Sequence, residues 1–302
     1  MGGTEALCVG EVLWDSLPSG LNLGGAPFNV ACHLQALGVP VGVVSRVGAD
    51  APGRDALREM ARRGIGTELV QVDAARPTGL VNVDVADPRN PTYEIVEPAA
   101  WDAIELTDAL LRRAGDARYL VFGSLAQRHP ITRATVARLL DTPATRVFDV
   151  NLRPPHVDAE IVRRCLQRAD VVKLNHDELR QLAAWYGLPA GAREAAGAMA
   201  TAFGCRLVCV TRGPDGAALW HDGAWTEHPG FDVEVADTVG AGDAFLAAVL
   251  AGLLAGASDR ALVERANLLG AYVATQVGAV PRHQADVMAH VARRPPAVPP
   301  SA

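Results

Sequence analysis

Nine consecutive residues at 237–245, Asp-Thr-Val-Gly-Ala-Gly-Asp-Ala-Phe, combine two carboxylates with a small-residue turn and the start of an apolar segment. Gly240 and Gly242 allow the backbone to take positive φ and leave no side chain over the turn. Where a helix begins at such a turn, its N-terminal amides carry about half a positive charge and can bind an anion. The pattern therefore indicates a phosphoryl-transfer site.

Asp243 directly follows this turn, which places a carboxylate beside the expected anion. A hydroxyl group is a poor nucleophile until its proton has an acceptor, and a carboxylate next to the phosphoryl group can serve as that general base. The alternative is structural, because an aspartate in the first turn of a helix also interacts favourably with the helix dipole.

A second polar segment, Gly-Gly-Ala-Pro-Phe-Asn at 24–29, precedes a predicted helix at 30–37. Gly24 and Gly25 would permit close approach by the hydroxyl groups of a ligand, and the Asn29 amide offers both a donor and an acceptor. A purely conformational role for the glycine pair is equally compatible with the pattern.

Two more polar segments follow predicted strands. Asn175 and Glu178 are three residues apart, a spacing that suits a helix capping box and also suits an amide and a carboxylate holding the water shell of Mg²⁺. The turn at 211–216 lies at the carboxyl edge of the predicted sheet, where open α/β sheets bind ligands, although a plain β-turn is the simpler interpretation.

Apolar runs alternate with segments of helical length, which predicts a mostly parallel sheet with helices on both faces. The predicted strands are 6–9, 41–47, 119–122, 146–150, 171–174 and 207–211. Residues 30–37 and 51–63 show helical periodicity and end at glycines, as helices commonly do. The uncharged run at 244–258 predicts a buried helix that is too short to span a membrane.

Extended segments at 78–85 and 92–96 interrupt this alternation and predict a hairpin around the turn at 87–91. With an irregular segment at 11–23, the hairpin would form a small β lid over a substrate cleft, and the alternative is an edge hairpin without a role. We therefore predict one domain over 1–302, with a lid formed by about 11–23 and 76–98. The proline-rich tail at 293–302 is predicted to be disordered.

The composition excludes several classes of protein. A net charge of −6 argues against a nucleic-acid binder, and the N-terminus has no secretory signal pattern, so a cytoplasmic protein is expected. The five cysteines include no Cys-x-x-Cys pair, and Cys205 and Cys209 lie in an apolar run typical of a core strand. The histidines have no spacing typical of a zinc site.

The order of these segments resembles that of the ribokinase-like (PfkB) family of carbohydrate kinases. The resemblance covers about residues 5–290 and includes both family signatures, at 24–38 and 237–243. It implies a three-layer α/β/α sandwich with a mostly parallel central sheet and a small β lid. It also implies ATP as co-substrate, Mg²⁺ as cofactor and K⁺ as a candidate second ion.

The same resemblance assigns roles on the phosphate side. Asp243 resembles the catalytic base, Asp237 matches a position associated with a monovalent cation, and the other assigned residues form two groups. The first group, the anion hole, comprises Gly240, Ala241 and Gly242. The second group would bind the nucleotide and comprises Asn175, Glu178, Thr211 and Gly213. Within it, Asn175 and Glu178 would also hold Mg²⁺ through water.

On the sugar side, residues 10–18 resemble the fructokinase branch, in which the aspartate equivalent to Asp15 binds sugar hydroxyls. Gly25 and Asn29 would join it, and Arg153 is a further candidate because 148–155 is similar to a segment shared by fructokinases and 2-keto-3-deoxygluconate kinases. Tyr93, beside the predicted hairpin, could stack on a sugar or simply pack. Ala26 replaces the lysine of ribokinases proper, which makes ribose a less favoured substrate.

The sequence thus predicts an ATP-dependent kinase that phosphorylates a primary hydroxyl of a small sugar, with fructose favoured and 2-keto-3-deoxygluconate an alternative. A non-catalytic sugar-binding protein on the same fold is a second alternative. A dinucleotide-dependent dehydrogenase would need Gly-x-Gly-x-x-Gly after the first strand, which the sequence lacks. A homodimer through the lid is predicted, because an exposed strand edge can pair with a second copy.

Overall fold

The computed structural model describes residues 4–17, 20–84, 92–282 and 285–292. The strands are β1 (Ala6–Val9), β2 (Leu13–Leu17), β3 (Gly20–Gly24), β4 (Val41–Gly48), β5 (Val70–Asp73), β6 (Gly79–Asp84), β7 (Thr92–Ile95), β8 (Tyr119–Gly123), β9 (Thr145–Asp149), β10 (Val171–Asn175), β11 (Leu207–Thr211), β12 (Ala217–His221) and β13 (Ala224–His228). The α-helices are α1 (Ala26–Ala36), α2 (Ala51–Arg62), α3 (Asp108–Asp116), α4 (Pro130–Leu139), α5 (Ala159–Leu166), α6 (His176–Tyr186), α7 (Ala192–Phe203), α8 (Ala241–Leu254), α9 (Asp259–Ala274) and α10 (Ala285–Val291).

A nine-stranded sheet has the order β13-β12-β11-β10-β9-β8-β1-β4-β5, and every pair from β11 to β5 is parallel. The six strands predicted from apolar runs all lie in this sheet. One face packs in a core with α1, α8 and α9, and the other packs in a second core with α3 to α7. The predicted three-layer α/β/α arrangement is therefore confirmed.

The uncharged run predicted as a buried helix forms most of α8, which is buried from Asp243 to Gly252. This helix packs against α9 and α1. Its N-terminus is thereby fixed in the core rather than left to fray at the surface.

A second sheet of four strands has the order β3-β2-β6-β7. The predicted hairpin corresponds to β6 and β7, which pair antiparallel. The prediction of an irregular segment at 11–23 was wrong, because β2 and β3 lie there. Aspartate, asparagine and glycine disfavour strands, and pairing of β2 with β3 and with β6 overrides that preference. The function of this sheet as a lid stays a prediction.

The antiparallel extension of the large sheet, β12 and β13, was not predicted. The two strands are joined by Asp222 and Gly223, both with positive φ (45° and 94°). Asp-Gly is a strong signal for a two-residue hairpin turn, so the sequence did contain the information.

Helix α1 begins at Ala26, earlier than predicted, and Pro27 lies in its first turn, where proline is well tolerated. Asn29 is therefore inside the helix. All five cysteines are buried and free, as predicted for Cys205 and Cys209. In the described part of the chain, no helix has the length and apolarity needed to cross a membrane. The tail at 293–302 lies outside the described residues.

Candidate active site

The candidate site lies at the carboxyl edge of the large sheet, where β9, β10 and β11 end. The strand register places Asp149 beside Lys173, and Asn175 beside Thr211. The N-terminus of α8 meets this edge, because Gly242 packs against the Lys173 side chain. Parallel strands thus bring together residues that are far apart in the sequence.

Gly240, Ala241 and Gly242, here called the glycine turn, start α8. Gly240 is its N-cap and has φ of 79°. A Cβ at Gly240 would lie 2.5 Å from the Ala279 Cα. Both the close packing and the positive φ therefore require glycine at this position. The Ala241 N–H donates a long hydrogen bond of 3.3 Å to the Thr238 carbonyl, and the turn lies at the positive end of a buried helix, where an anion can bind.

Asp243 occupies the first turn of α8 and is buried. Its Oδ2 accepts a hydrogen bond of 2.8 Å from Asn29 Nδ2, which joins the two sequence signatures. Burial, and after it the charge of Asp149, raises the pKa of Asp243 to about 6. The charges of Lys173 and Arg153 and the hydrogen bond from Asn29 lower this pKa and offset part of the rise. A carboxylate with this proton affinity suits a general base near neutral pH.

Lys173 and Asp149 form a buried ion pair that the sequence analysis missed. Lys173 Nζ lies 3.0 Å from Asp149 Oδ1 and 3.2 Å from Oδ2. The available signal was a lysine within the apolar strand Val-Val-Lys-Leu, since lysine is rarely fully buried unless it is paired.

Asn175 and Glu178 form the capping box of α6, which confirms that interpretation. Asn175 Oδ1 accepts from the Glu178 N–H at 2.8 Å, and Glu178 Oε2 accepts from the Asn175 N–H at 2.7 Å. Glu178 Oε1 also accepts from the Leu152 N–H at 2.8 Å. Because backbone donors already occupy these oxygens, the pair fits a hydrated Mg²⁺ held through water better than one bound directly.

Asp237 connects the loop before the glycine turn to residue 278. Its Oδ1 accepts from the Val239 N–H and its Oδ2 from the Gly278 N–H, both at 3.0 Å. The assignment of Asp237 to a monovalent cation stays a prediction. Within residues that the structure describes, no group of three or more histidine, cysteine, aspartate or glutamate side chains could hold a metal ion.

Thr211 and Gly213 lie at the end of β11, beside Asn175. Thr211 Oγ1 donates to the Leu174 carbonyl at 3.5 Å, and Gly213, with φ of 58°, begins a short 3₁₀ turn at Gly213–Asp215. The predicted polar turn is therefore present at the sheet edge. Its nucleotide-binding role stays a prediction.

The glycine pair on the sugar side packs against two carboxylate residues. A Cβ at Gly24 would lie 2.6 Å from Asp15 Oδ2, and one at Gly25 would lie 2.3 Å from the Glu11 carbonyl. These glycines therefore allow close approach by the protein itself. Burial raises the pKa of Asp15 to about 6 and that of Glu11 to about 7. Glu11 was not predicted, and one buried oxygen, Oε2, has no hydrogen-bond partner among the described residues.

The exposed Arg153 side chain connects the two halves of the site electrostatically, because its charge lowers the pKa of Asp15, Glu11 and Asp243 against the larger effect of burial. The structure thus brings Arg153 near the other sugar-side candidates. The Tyr93 side chain lies outside the described part of the chain, so its predicted contact with sugar stays untested.

His33, also missed from sequence, is fully buried one turn after Asn29 on α1. Its Nε2 lies 3.0 Å from the carbonyl oxygen of Ala279, the residue that packs against Gly240. Helix α1 therefore supports both Asp243 and the glycine turn.

A parallel α/β sheet with an anion-binding turn and a buried carboxylate at its carboxyl edge is the arrangement of a phosphotransferase for small molecules. A family model described as pfkB family carbohydrate kinase matches residues 20–285. The chain belongs to this family of carbohydrate kinases.

The chain is also similar to individual family members. It is 31% identical over 271 residues to a fructokinase of Escherichia coli, covering 85% of this chain and 87% of the relative. It is 30% identical to an ATP-dependent ribose-1-phosphate kinase of Halopiger xanaduensis over 88% and 85% of the two chains. A crystal structure of Vibrio cholerae fructokinase with fructose, ADP and calcium has a TM-score of 0.81 and 25% identity, covering 95% of this chain and 99% of that one.

The family, the ribokinase-like fold and the enzyme class, an ATP-dependent carbohydrate kinase, are therefore confirmed. The roles of individual site residues and the domain boundaries stay predictions.

Proposed function

We propose that this kinase transfers the γ-phosphoryl group of ATP to a primary hydroxyl of a small neutral sugar, with D-fructose the favoured substrate. The observation that carries the proposal is the buried Asp243 at the glycine turn, hydrogen-bonded to Asn29. Similarity to a fructokinase over most of both chains supports the choice of sugar.

In this mechanism Asp243 accepts the proton of the attacking hydroxyl as the bond to phosphorus forms. The Asn29 amide fixes the carboxylate in position, since its Nδ2 donates to Oδ2 at 2.8 Å. The N–H groups of the glycine turn stabilise the negative charge on the phosphoryl group. Asn175 and Glu178 would hold a hydrated Mg²⁺, which neutralises phosphate charge when bound.

The charges on the sugar side favour a neutral polyol. Glu11, Asp15 and Asp243 contribute three carboxyl groups, and Arg153 is the cation whose charge reaches all three. Hydroxyl groups can donate hydrogen bonds to carboxylates, whereas a carboxylate or phosphate on the sugar would be repelled by the ionised groups, chiefly Asp15 and Asp243. This balance favours fructose over 2-keto-3-deoxygluconate.

A second candidate substrate is ribose-1-phosphate, which the similarity to the Halopiger xanaduensis kinase favours. A non-catalytic sugar-binding role is the remaining alternative, and the intact Asp243 and glycine turn argue against it. Both alternatives make different predictions for the same assay.

The test is a coupled ADP-release assay with fructose, ribose, ribose-1-phosphate, 2-keto-3-deoxygluconate and adenosine. We expect the highest kcat/KM with fructose. Asp243→Asn should lower kcat by about 10³-fold, because the general base is lost. Asp108→Asn, an exposed aspartate in the first turn of α3, is the matched control and should leave kcat unchanged.

Near-normal turnover by Asp243→Asn would disprove the assigned mechanism. Preference for ribose-1-phosphate would identify the second candidate. Saturable sugar binding without ADP release from any substrate would favour the non-catalytic alternative.

We further propose that K⁺ binds near Asp237 and activates the enzyme. We also propose that two copies of the protein form a homodimer through the four-stranded sheet. The outer strand β3 carries three exposed residues and leaves an edge that a second copy can extend. Sedimentation velocity is expected to show a dimer, and a monomer at working concentration would exclude it. Equal turnover in K⁺ and tetramethylammonium salts would remove the K⁺ proposal.

A further inference from the structure

The ion pair between Lys173 and Asp149 lies directly below the glycine turn. A Cβ placed on Gly242 would come within 2.8 Å of Lys173 Nζ, so the absence of a side chain at this position makes room for the ammonium group. Gly242 therefore has a role besides that of exposing backbone amides. It allows a fixed positive charge to approach the anion-binding turn from the side of the sheet.

Stability alone is a poor explanation for this pair. Both side chains are buried, and removing two charges from water costs several kcal/mol per ion, which their attraction offsets only in part. Apolar residues of similar volume often stabilise a core as well or better. The position of the pair, where Gly242 at the N-terminus of α8 meets the sheet, points to an electrostatic role.

We propose that Lys173 is a positioning residue for phosphoryl transfer: held by Asp149 beneath the glycine turn, its ammonium strengthens phosphate binding there and favours the ionised form of Asp243. This inference rests on the proposed function, because it assumes that Asp243 is the base and that the turn receives the γ-phosphoryl group. Lys173 acts through the turn and through Asp243, rather than by accepting a proton itself.

The charged groups around Asp243 act in opposite directions. Asp149 at the end of β9 and Glu11 after β1 are negative and disfavour ionisation of Asp243, whereas Lys173 on β10 and Arg153 in the loop after β9 favour it. Lys173 and Asp149 are partners in one ion pair, yet they should have opposite effects on the same carboxyl group. Loss of packing alone would not move the pKa of Asp243 in opposite directions when one partner or the other is replaced.

The test compares Lys173→Met and Asp149→Asn by the pH dependence of kcat. Lys173→Met should move the acid limb to higher pH by about one unit, and Asp149→Asn should move it to lower pH by a similar amount. Thermal unfolding should show that both variants lose stability. Shifts of the acid limb in the same direction, or no shift in either variant, would overturn the proposal.

The double variant Lys173→Gln/Asp149→Asn leaves no unpaired buried charge if the single variants fail to fold. We expect it to fold, and to lower kcat about 10-fold at pH values where Asp243 is fully ionised. Wild-type kcat in this variant would show that the charge is dispensable, and would also overturn the proposal.

Nucleotide affinity, measured by calorimetry without sugar, separates this inference from the proposed function. The double variant should bind ATP about 10-fold more weakly than the wild type does. Its affinity for ADP should fall less, because the turn receives the γ-phosphate, which ADP lacks. If the wild type releases no ADP with any sugar, the proposed function fails, and the ATP measurement still decides the role of Lys173. Equal loss of ATP and ADP affinity, or no loss, would contradict the inference.

Discussion

The phosphate side and the sugar side of the site are held in different ways. On the phosphate side, Asp149 is paired with Lys173, and Glu178 and Asp237 each accept two backbone hydrogen bonds. On the sugar side, the buried oxygens Glu11 Oε2 and Asn29 Oδ1 have no hydrogen-bond partner among the described residues. The large sheet therefore preorganises the phosphate side, whereas the sugar side keeps unmatched acceptors.

This difference has an energetic meaning. A buried polar atom without a partner costs about 1–3 kcal/mol. Burial also raises the pKa values of Glu11 and Asp15. The phosphate side can stabilise charge at once because its dipoles are already oriented. A ligand that supplies hydrogen-bond donors would therefore stabilise the sugar side more than the phosphate side, because it would satisfy the unpartnered acceptors there.

Among substitutions that compare the packing of the two sides, the largest effect on turnover is expected on the preorganised side. Gly240→Ala places a Cβ 2.5 Å from the Ala279 backbone in a residue with φ of 79°, so the turn must move. A displacement of about 1 Å can lower turnover 10²-fold, and we expect kcat to fall by about that factor. Gly256→Ala is the matched control, because Gly256 has φ of 70° and no atom within 4 Å of the added Cβ.

Gly256→Ala should lose about 1 kcal/mol of unfolding free energy, as positive φ disfavours alanine, and should keep wild-type kcat. Steady-state kinetics measure kcat for both variants, and urea unfolding measures their unfolding free energies. Equal kcat in the two variants would mean that the glycine turn need not be rigid.

A smaller effect, on binding rather than turnover, is expected from the sugar side. Asp15→Asn removes a carboxylate that can accept hydrogen bonds from sugar hydroxyls, and each hydrogen bond to a charged group contributes about 1.5–3 kcal/mol. The KM for fructose should rise about 10- to 100-fold, with a smaller change in kcat. Ser16→Ala is the control and should leave KM unchanged, because successive side chains of a strand point to opposite faces of the sheet. An unchanged KM in Asp15→Asn would remove Asp15 from the sugar site.

The features that could be predicted from sequence are those written in local patterns. The parallel strands are short apolar runs, and the glycine turn with Asp243 is a contiguous motif. The capping box of Asn175 and Glu178 is likewise local, which is why both interpretations of that segment were available from sequence.

The features that could not be predicted depend on contacts across the chain. Asn29 and Asp243 are 214 positions apart, and Lys173 and Asp149 are 24 apart in neighbouring strands. Only the register of β9 and β10 makes the latter two side chains meet. Strands β2 and β3 were missed for a related reason, because pairing with each other and with β6 outweighs the glycine, asparagine and aspartate residues that disfavour strands.

A third effect, on stability rather than on kinetics, tests the buried carboxyl group of Glu11 through its proton linkage. Burial raises the pKa of Glu11 from 4.5 to about 7, so the folded protein keeps a proton that the unfolded chain releases near pH 4.5. Stability therefore falls as the pH rises through this window. Glu11→Gln removes the titrating group, and its unfolding free energy relative to wild type should rise by about 2–3 kcal/mol between pH 5 and pH 8.

Asp15 and Asp243, whose pKa values are also raised, remain in both proteins, so comparison of Glu11→Gln with wild type measures Glu11 together with its repulsion of Asp243. Urea unfolding at pH 5, 6, 7 and 8 measures the difference, and Glu160→Gln, on the exposed surface of α5, is the control that should show no such trend. A difference that stays constant with pH would mean that Glu11 ionises normally in the folded protein. The sugar side would then be as well matched as the phosphate side, and the contrast between them would fail.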